Sequence, residues 1–156
     1  MYNREEFDRE YFEQGPMTGK SLYTNYRWLP ELTLPLCHHL VTYCGMMQED
    51  RILDFGCAKG YVVHGLRLLG YDAHGIDVSE YAISQAPREV NGYVTKIEPF
   101  EEISIDFDWV SMDFIGFSTH FSRFQRIPMD FQWISLDPQW ISMDFSGVSM
   151  DFNGYQ

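Results

Sequence analysis

Between Arg51 and Glu98 the chain alternates short apolar runs with segments of helical periodicity, and that alternation predicts a fold. The run RILDF, Arg51 to Phe55, has the length of a strand and reads as a buried one. After the turn GCAKG, Val62, Leu66 and Leu69 recur at helical spacing until Gly70 stops the helix. YDAHGID then predicts a second strand ending on Asp77. SEYAISQAP predicts a helix capped by Ser79 with Pro87 beyond its end, and GYVTKI a third strand running to Glu98 and Pro99. Strand, helix, strand, helix, strand within about 50 residues is the pattern of right-handed crossover units on a parallel sheet, so the fold class is α/β.

The flanks read differently. MYNREEFDREYFEQ predicts a short helix lying over the domain with Phe7, Tyr11 and Phe12 turned inward. GPMTGKS is one residue short of a phosphate loop and follows no strand, so it reads as a polar turn. Thr33 and Pro35 predict a helix start, Leu36, Leu40, Val41 and Cys44 its apolar face, and Gly45 its end; His38 and His39 are ordinary helix histidines. From Arg126 the chain divides into four consecutive sevens, RIPMDFQ, WISLDPQ, WISMDFS and GVSMDFN. Ile, Met and Phe alternate there with Ser and Asp at the two-residue period of a strand, which excludes a coiled coil. Such segments bring a tendency to self-association that the aspartates moderate.

The 156 residues fit one domain, and a hydrophobic content of 45% suffices for a core. A formal net charge of -12 opposes general attraction to nucleic acid or to anionic membranes. The acidity is uneven: residues 101 to 156 carry 9 acidic groups against 2 basic ones, which sets the last third apart. No apolar window approaches a membrane span, the N-terminus has no signal-like run, and Cys37, Cys44 and Cys57 have no metal spacing. A reducing cytoplasm is the expected setting, with no metal and no membrane attachment.

The chemistry concentrates in ILDFGCAKGY. Gly56 and Gly60 bracket a tight turn leaving a strand just before a helix, where backbone can approach a ligand closely. Asp77 closes the next strand, where a carboxylate can accept from both hydroxyls of a ribose. A nucleoside-containing ligand follows, either a dinucleotide such as NAD or S-adenosylmethionine. The dinucleotide pattern wants a glycine at the third place of the turn, and this chain has Ala58 there. Asp54, just before the turn, suits a cationic ligand and would repel a pyrophosphate. Both details favour S-adenosylmethionine. Cys57 reads as a small packing residue and Lys59 as a solvated one.

On these residues the chain resembles the class I S-adenosylmethionine-dependent methyltransferases, in which a (V/I)LDxGCGxG loop precedes an acidic residue closing strand two. The likeness extends through GIDVSEYAI and EPF, and upstream into SLYTNYRWLPE. It implies a Rossmann-like parallel sheet. It also implies that Asp54, Gly56, Cys57, Ala58 and Gly60 hold the methionine moiety, Asp77 the ribose and Val78 one adenine face, with Ile97 and Glu98 bordering the adenine. Phe107 to Asp113 falls where the family places strand four, with Asp113 towards the methyl end of the cofactor. Tyr23, Tyr26 and Arg27 are candidates to close over the methionine carboxylate.

The resemblance divides the chain into a helical cap at 1–50, a cofactor-binding core at 51–114 and a repetitive low-complexity tail at 115–156. The family's sheet needs more chain than the 42 residues after Phe114, which marks a truncated, incomplete version of the fold. Methyl transfer asks mainly for alignment, so no catalytic residue is compulsory and none is evident. The expected function is methyl transfer to an acceptor of small-molecule type, chosen over nucleic acid on charge. A catalytically inactive relic or interaction module is the alternative, and a nucleotide-dependent oxidoreductase is a third reading.

Overall fold

The computed structural model describes residues 7–98, 102–104, 107–113, 122–126 and 133–135. The chain opens with two short helices, α1 (Arg9–Glu13) and α2 (Gly15–Thr18), followed by the longer α3 (Pro30–Cys44). Then come β1 (Arg51–Phe55), α4 (Tyr61–Leu68), β2 (Asp72–Asp77), α5 (Glu80–Ser84) and β3 (Val94–Lys96). Four strands follow: β4 (Glu102–Ser104), β5 (Trp109–Asp113), β6 (Ser122–Arg126) and β7 (Trp133–Ser135).

Five strands form one sheet in the order β3-β2-β1-β5-β6. The first four of that order are parallel, with Ile52 opposite both Ala73 and Trp109, and Gly75 opposite Val94. The expected Rossmann-like arrangement is therefore present, with β5 as the fourth parallel strand. Its start is clamped to β1: the Asp108 N–H donates to the Arg51 carbonyl, and the Asp108 carboxylate accepts from the Arg51 N–H, each at 2.8 Å. The stretch expected from the family resemblance as strand four is thus a working strand of the sheet over Trp109–Asp113.

β6 lies within the stretch expected to be tail, yet it pairs antiparallel with β5 from Trp109↔Arg126 to Asp113↔Ser122. The sheet therefore runs past the expected break near Phe114. The WIS of the second seven-residue unit forms β7, antiparallel to β4. The later copies lie outside the described residues.

Neighbours on β1 explain its apolar run. Ile52 and Leu53 are both fully buried but belong to opposite faces of the sheet. Ile52 joins Cys37 and Val41 of α3 and Val63 and Leu66 of α4. Leu53 joins Ile76, Ile97 and Val110. Each fully buried aliphatic side chain of this kind contributes roughly 1.5–3 kcal/mol. Gly65 lets α3 approach α4 closely, since a Cβ there would stand 2.6 Å from the Cys37 sulfur.

The start of α3 differs from the expectation. The helix begins at Pro30, not near Thr33, and places Pro35 in its interior. Pro30 supplies the preorganised first turn, and packing of Cys37 and Val41 against α4 offsets the hydrogen bond that Pro35 cannot make. Leu36, expected on the apolar face, is exposed. The expected end holds: Gly45 adopts φ 69°, and the Met46 N–H donates to the Val41 carbonyl at 3.0 Å.

α1 is the short N-terminal helix expected from the sequence, with Phe12 buried and Phe7 and Tyr11 half-buried. GPMTGKS forms a single helical turn ending on Gly19 rather than a phosphate loop. Among the described residues, no helix is long and apolar enough to cross a membrane.

Candidate functional site

The site is built where β1 and β2 end. Gly56, Ala58 and Gly60 have φ of 78°, 51° and 71°, so every second residue of the turn is left-handed. Glycine enters that region freely, whereas a Cβ there costs about 1–2 kcal/mol. Ala58 thus carries strain that the family's usual glycine would not. Gly60 has a second reason to be glycine, because a Cβ would stand 2.8 Å from Val94 Cγ1.

The turn is tied back onto β2 by main chain. The N–H groups of Gly56 and Cys57 both donate to the Ile76 carbonyl, at 2.8 and 3.0 Å. Asp77 completes the tie, with one carboxylate oxygen accepting from the Ala58 N–H and the other from the Ser79 N–H, each at 2.7 Å. Asp77 is therefore an organiser of the loop as well as a candidate ribose acceptor. Among the described residues, none beyond the two chain neighbours comes within 4 Å of where a Cβ on Gly56 would stand.

Cys57 lies buried against Gly75, where an added Cβ would come within 2.7 Å of the thiol sulfur. Burial raises its thiol pKa well above the ordinary value, and the charges of Asp54 and Asp77 raise it further. Cys57 is thus a packing residue, not a nucleophile. Asp54 and Asp77 are themselves buried, so the floor of the loop carries two low-exposure carboxylates.

The structure brings Asp54, Gly56, Cys57, Ala58, Gly60 and Asp77 together. Val78 and Ile97 share the second apolar cluster beside them, and the Ile97 N–H donates to the Asp77 carbonyl at 2.9 Å. Glu98 stands exposed and pairs with Lys96 at 2.7 Å. β1 and β5 stay in register as far as Phe55↔Met112, so the backbone of Asp113 reaches the same end of the sheet one step further on.

Lys59 corrects the sequence reading. It is not solvated but 5% exposed. Its ammonium donates to the Glu13 carboxylate and to the Tyr26 carbonyl, the latter at 2.7 Å, and lies over the rings of Tyr26 and Tyr81. Glu13 also accepts from the Tyr81 hydroxyl at 3.0 Å. The Lys59 ammonium, helped by Tyr81, holds the Glu13 pKa below its ordinary value against the opposing effect of burial.

Ser79 caps α5, as expected, by accepting from the Ala82 N–H. Its hydroxyl also donates to the Phe7 carbonyl at 2.6 Å. Tyr26 packs on Tyr61, and Trp28 on Tyr61 and His64. Tyr23 packs among Tyr11, Phe12 and Tyr26, while Arg27 is exposed. Sequence reasoning missed Glu13, Tyr61, Trp28, His64 and Tyr81, because their partners lie far along the chain. A lysine set between Ala58 and Gly60 inside the loop was the one available signal.

Comparison with known proteins follows the same lines. No curated protein matches the sequence significantly. Among solved structures, one from work on converting a disulfide bond into a thioacetal group during echinomycin biosynthesis is 26% identical, with a TM-score of 0.40 over 49% of this chain and 34% of that one. A Thermoplasma acidophilum protein is 24% identical, with a TM-score of 0.41 over 49% and 44% of the two chains. A SAM-dependent methyltransferase from Aquifex aeolicus is 17% identical, with a TM-score of 0.42 over 70% and 56%. The chain thus spans less than two thirds of each of these proteins. The profile of a methyltransferase-domain family matches residues 28–136, well over half of the sequence and including the whole glycine loop and Asp77, and the chain belongs to that family.

Proposed function

We propose that the protein binds S-adenosylmethionine across the carboxyl ends of β1 and β2 and passes its methyl group to a small-molecule acceptor. The observation that carries this reading is the loop itself, uncrowded at Gly56 by any described residue beyond its chain neighbours and floored by the buried carboxylates of Asp54 and Asp77. Negative charge there favours a sulfonium and an ammonium and disfavours the pyrophosphate of a dinucleotide. In this arrangement Asp77 accepts from the ribose hydroxyls and Asp54 from the amino-acid ammonium. Gly56, Cys57, Ala58 and Gly60 offer main chain to the methionine moiety, and Val78, Ile97 and Glu98 border the adenine. Asp113 stands at the methyl end.

The cofactor supplies an already activated methyl group, so the chain's task is to hold an acceptor in line and exclude water. The acidic charge favours a small acceptor over nucleic acid. Three free thiols suit a reducing cytoplasm. Calorimetry with S-adenosylmethionine, its demethylated product and NAD tests the reading: the first two bind and NAD does not. Binding by NAD alone, or by none of the three, sinks it.

A second reading, a binding module without turnover, has one observation behind it. Only 8 residues separate β5 from β6, too few for the helical crossover that a parallel neighbour requires, and β6 is antiparallel. Among the described residues, the repeating unit that builds the cofactor side is not continued past β5. Cofactor binding without methyl transfer to any compound in a metabolite extract, followed with isotope-labelled methyl, would favour this module.

A further inference from the structure

Residues 7–28 form a strap over the loop. Within it, α1 and the segment after α2 are joined by an antiparallel bridge between Gln14 and Thr24. Phe12 is the strap's buried anchor, stacked between Tyr23 and Tyr81. Two polar fastenings reach the cofactor side. Ser79, two residues beyond Asp77, donates to the Phe7 carbonyl. Lys59, inside the glycine loop, holds Glu13 and the Tyr26 carbonyl together from below. A lysine so little exposed, with a carboxylate, a carbonyl and two ring faces around it, is held there by charge-assisted bonds that weaken sharply once water enters.

We propose that Lys59 is a positioning residue that latches the N-terminal strap across the cofactor loop, so that the strap releases before S-adenosylmethionine enters or leaves and refastens over it. The inference rests on the cofactor assignment above. It goes beyond it by assigning control of exchange to Lys59 and Glu13, neither of which is placed on the cofactor. Because the latch joins a local loop to a segment 46 residues away, it opens without unfolding the sheet. The pair therefore sets how often the site is open more than how well the open site fits its ligand.

The test uses the full chain with Glu13→Gln, Lys59→Met and the double variant. In the unliganded proteins, amide hydrogen exchange of residues 7–28 is expected to accelerate on the order of tenfold in each single variant, as for loss of one charge-assisted hydrogen bond, with little further change in the double. Stopped-flow mixing with S-adenosylmethionine is expected to show association and dissociation both faster by a similar factor, with Kd changed far less than either rate. Unchanged strap exchange overturns the latch. Faster strap exchange with unchanged cofactor rates overturns its gating role. A merely structural pair would lower the global unfolding free energy and leave both readouts at wild-type values. If wild-type protein binds no S-adenosylmethionine in calorimetry, the cofactor assignment and the gate fail together, while strap exchange still decides the latch. Should Lys59→Met fail to fold, Glu13→Gln carries the same readouts.

Discussion

The glycine loop and the strap that covers it are held by different means. The loop is shaped mainly by main chain, through three left-handed residues and two N–H groups on one carbonyl, with the Asp77 carboxylate at the end of the adjacent strand as its side-chain tie. The strap is held by side chains from distant parts of the sequence, chiefly Lys59, Tyr81 and Ser79. Main-chain restraints of the first kind tolerate few substitutions at the restrained positions themselves. Side-chain fastenings of the second kind can loosen singly. The molecule thus pairs a stiff floor with a cover that yields first.

The strongest way to break the comparison is at Gly60. Gly60→Ala adds both the left-handed penalty and a clash with Val94, together about 3 kcal/mol, read as a lower urea midpoint at unchanged slope. A loss under about 1 kcal/mol would mean that the floor yields as readily as the cover. Asp77→Ala comes next. It removes the acceptor for the Ala58 and Ser79 N–H groups and is expected to cost about 2 kcal/mol of stability. It also weakens S-adenosylmethionine binding in calorimetry by at least tenfold. Retained affinity would restrict Asp77 to its loop-holding role.

The cover should respond less, and in a pH-dependent way. Glu13 has a depressed pKa, so its contribution is complete above the ordinary glutamate value of 4.5 and is lost as the pH falls through the lower folded value. Glu13→Gln should therefore cost about 1 kcal/mol of strap-opening free energy near neutrality, read from amide exchange of residues 7–28, with the difference from wild type closing in acid. A difference that persists in acid would show that packing, not charge, holds Glu13. The smallest effect is a gain. Ala58→Gly relieves the left-handed strain but frees the unfolded chain, leaving a net stabilisation of about 0.5 kcal/mol or less in thermal unfolding.

The same contrast explains what could be read from the sequence. β1, the loop, β2 and the Ser79 cap were legible because each is decided by residues within a few positions: an apolar run, two glycines, a strand-closing acid and a hydroxyl three before an N–H. Lys59 was misread because its partners are Glu13 and Tyr26, and nothing near GCAKG announces them. The start of α3 was misplaced because the Thr33–Pro35 pair imitates a cap while Pro30 performs the task. β6 was unreadable for another reason. SRFQR has no apolar alternation of its own and becomes a strand through its pairing with β5.

Gly75 and Cys57 together define a shared volume. The loop thiol rests in the notch that the strand leaves by lacking a side chain, with Val63 as the third wall. Enlarging the residue at position 75 requires removing bulk at 57 or 63, although the three positions lie on a strand, a turn and a helix. Substitutions among them should therefore be strongly epistatic, each harmful alone and tolerated only in compensating sets. An engineer reshaping this site would have to vary them as one residue in three parts.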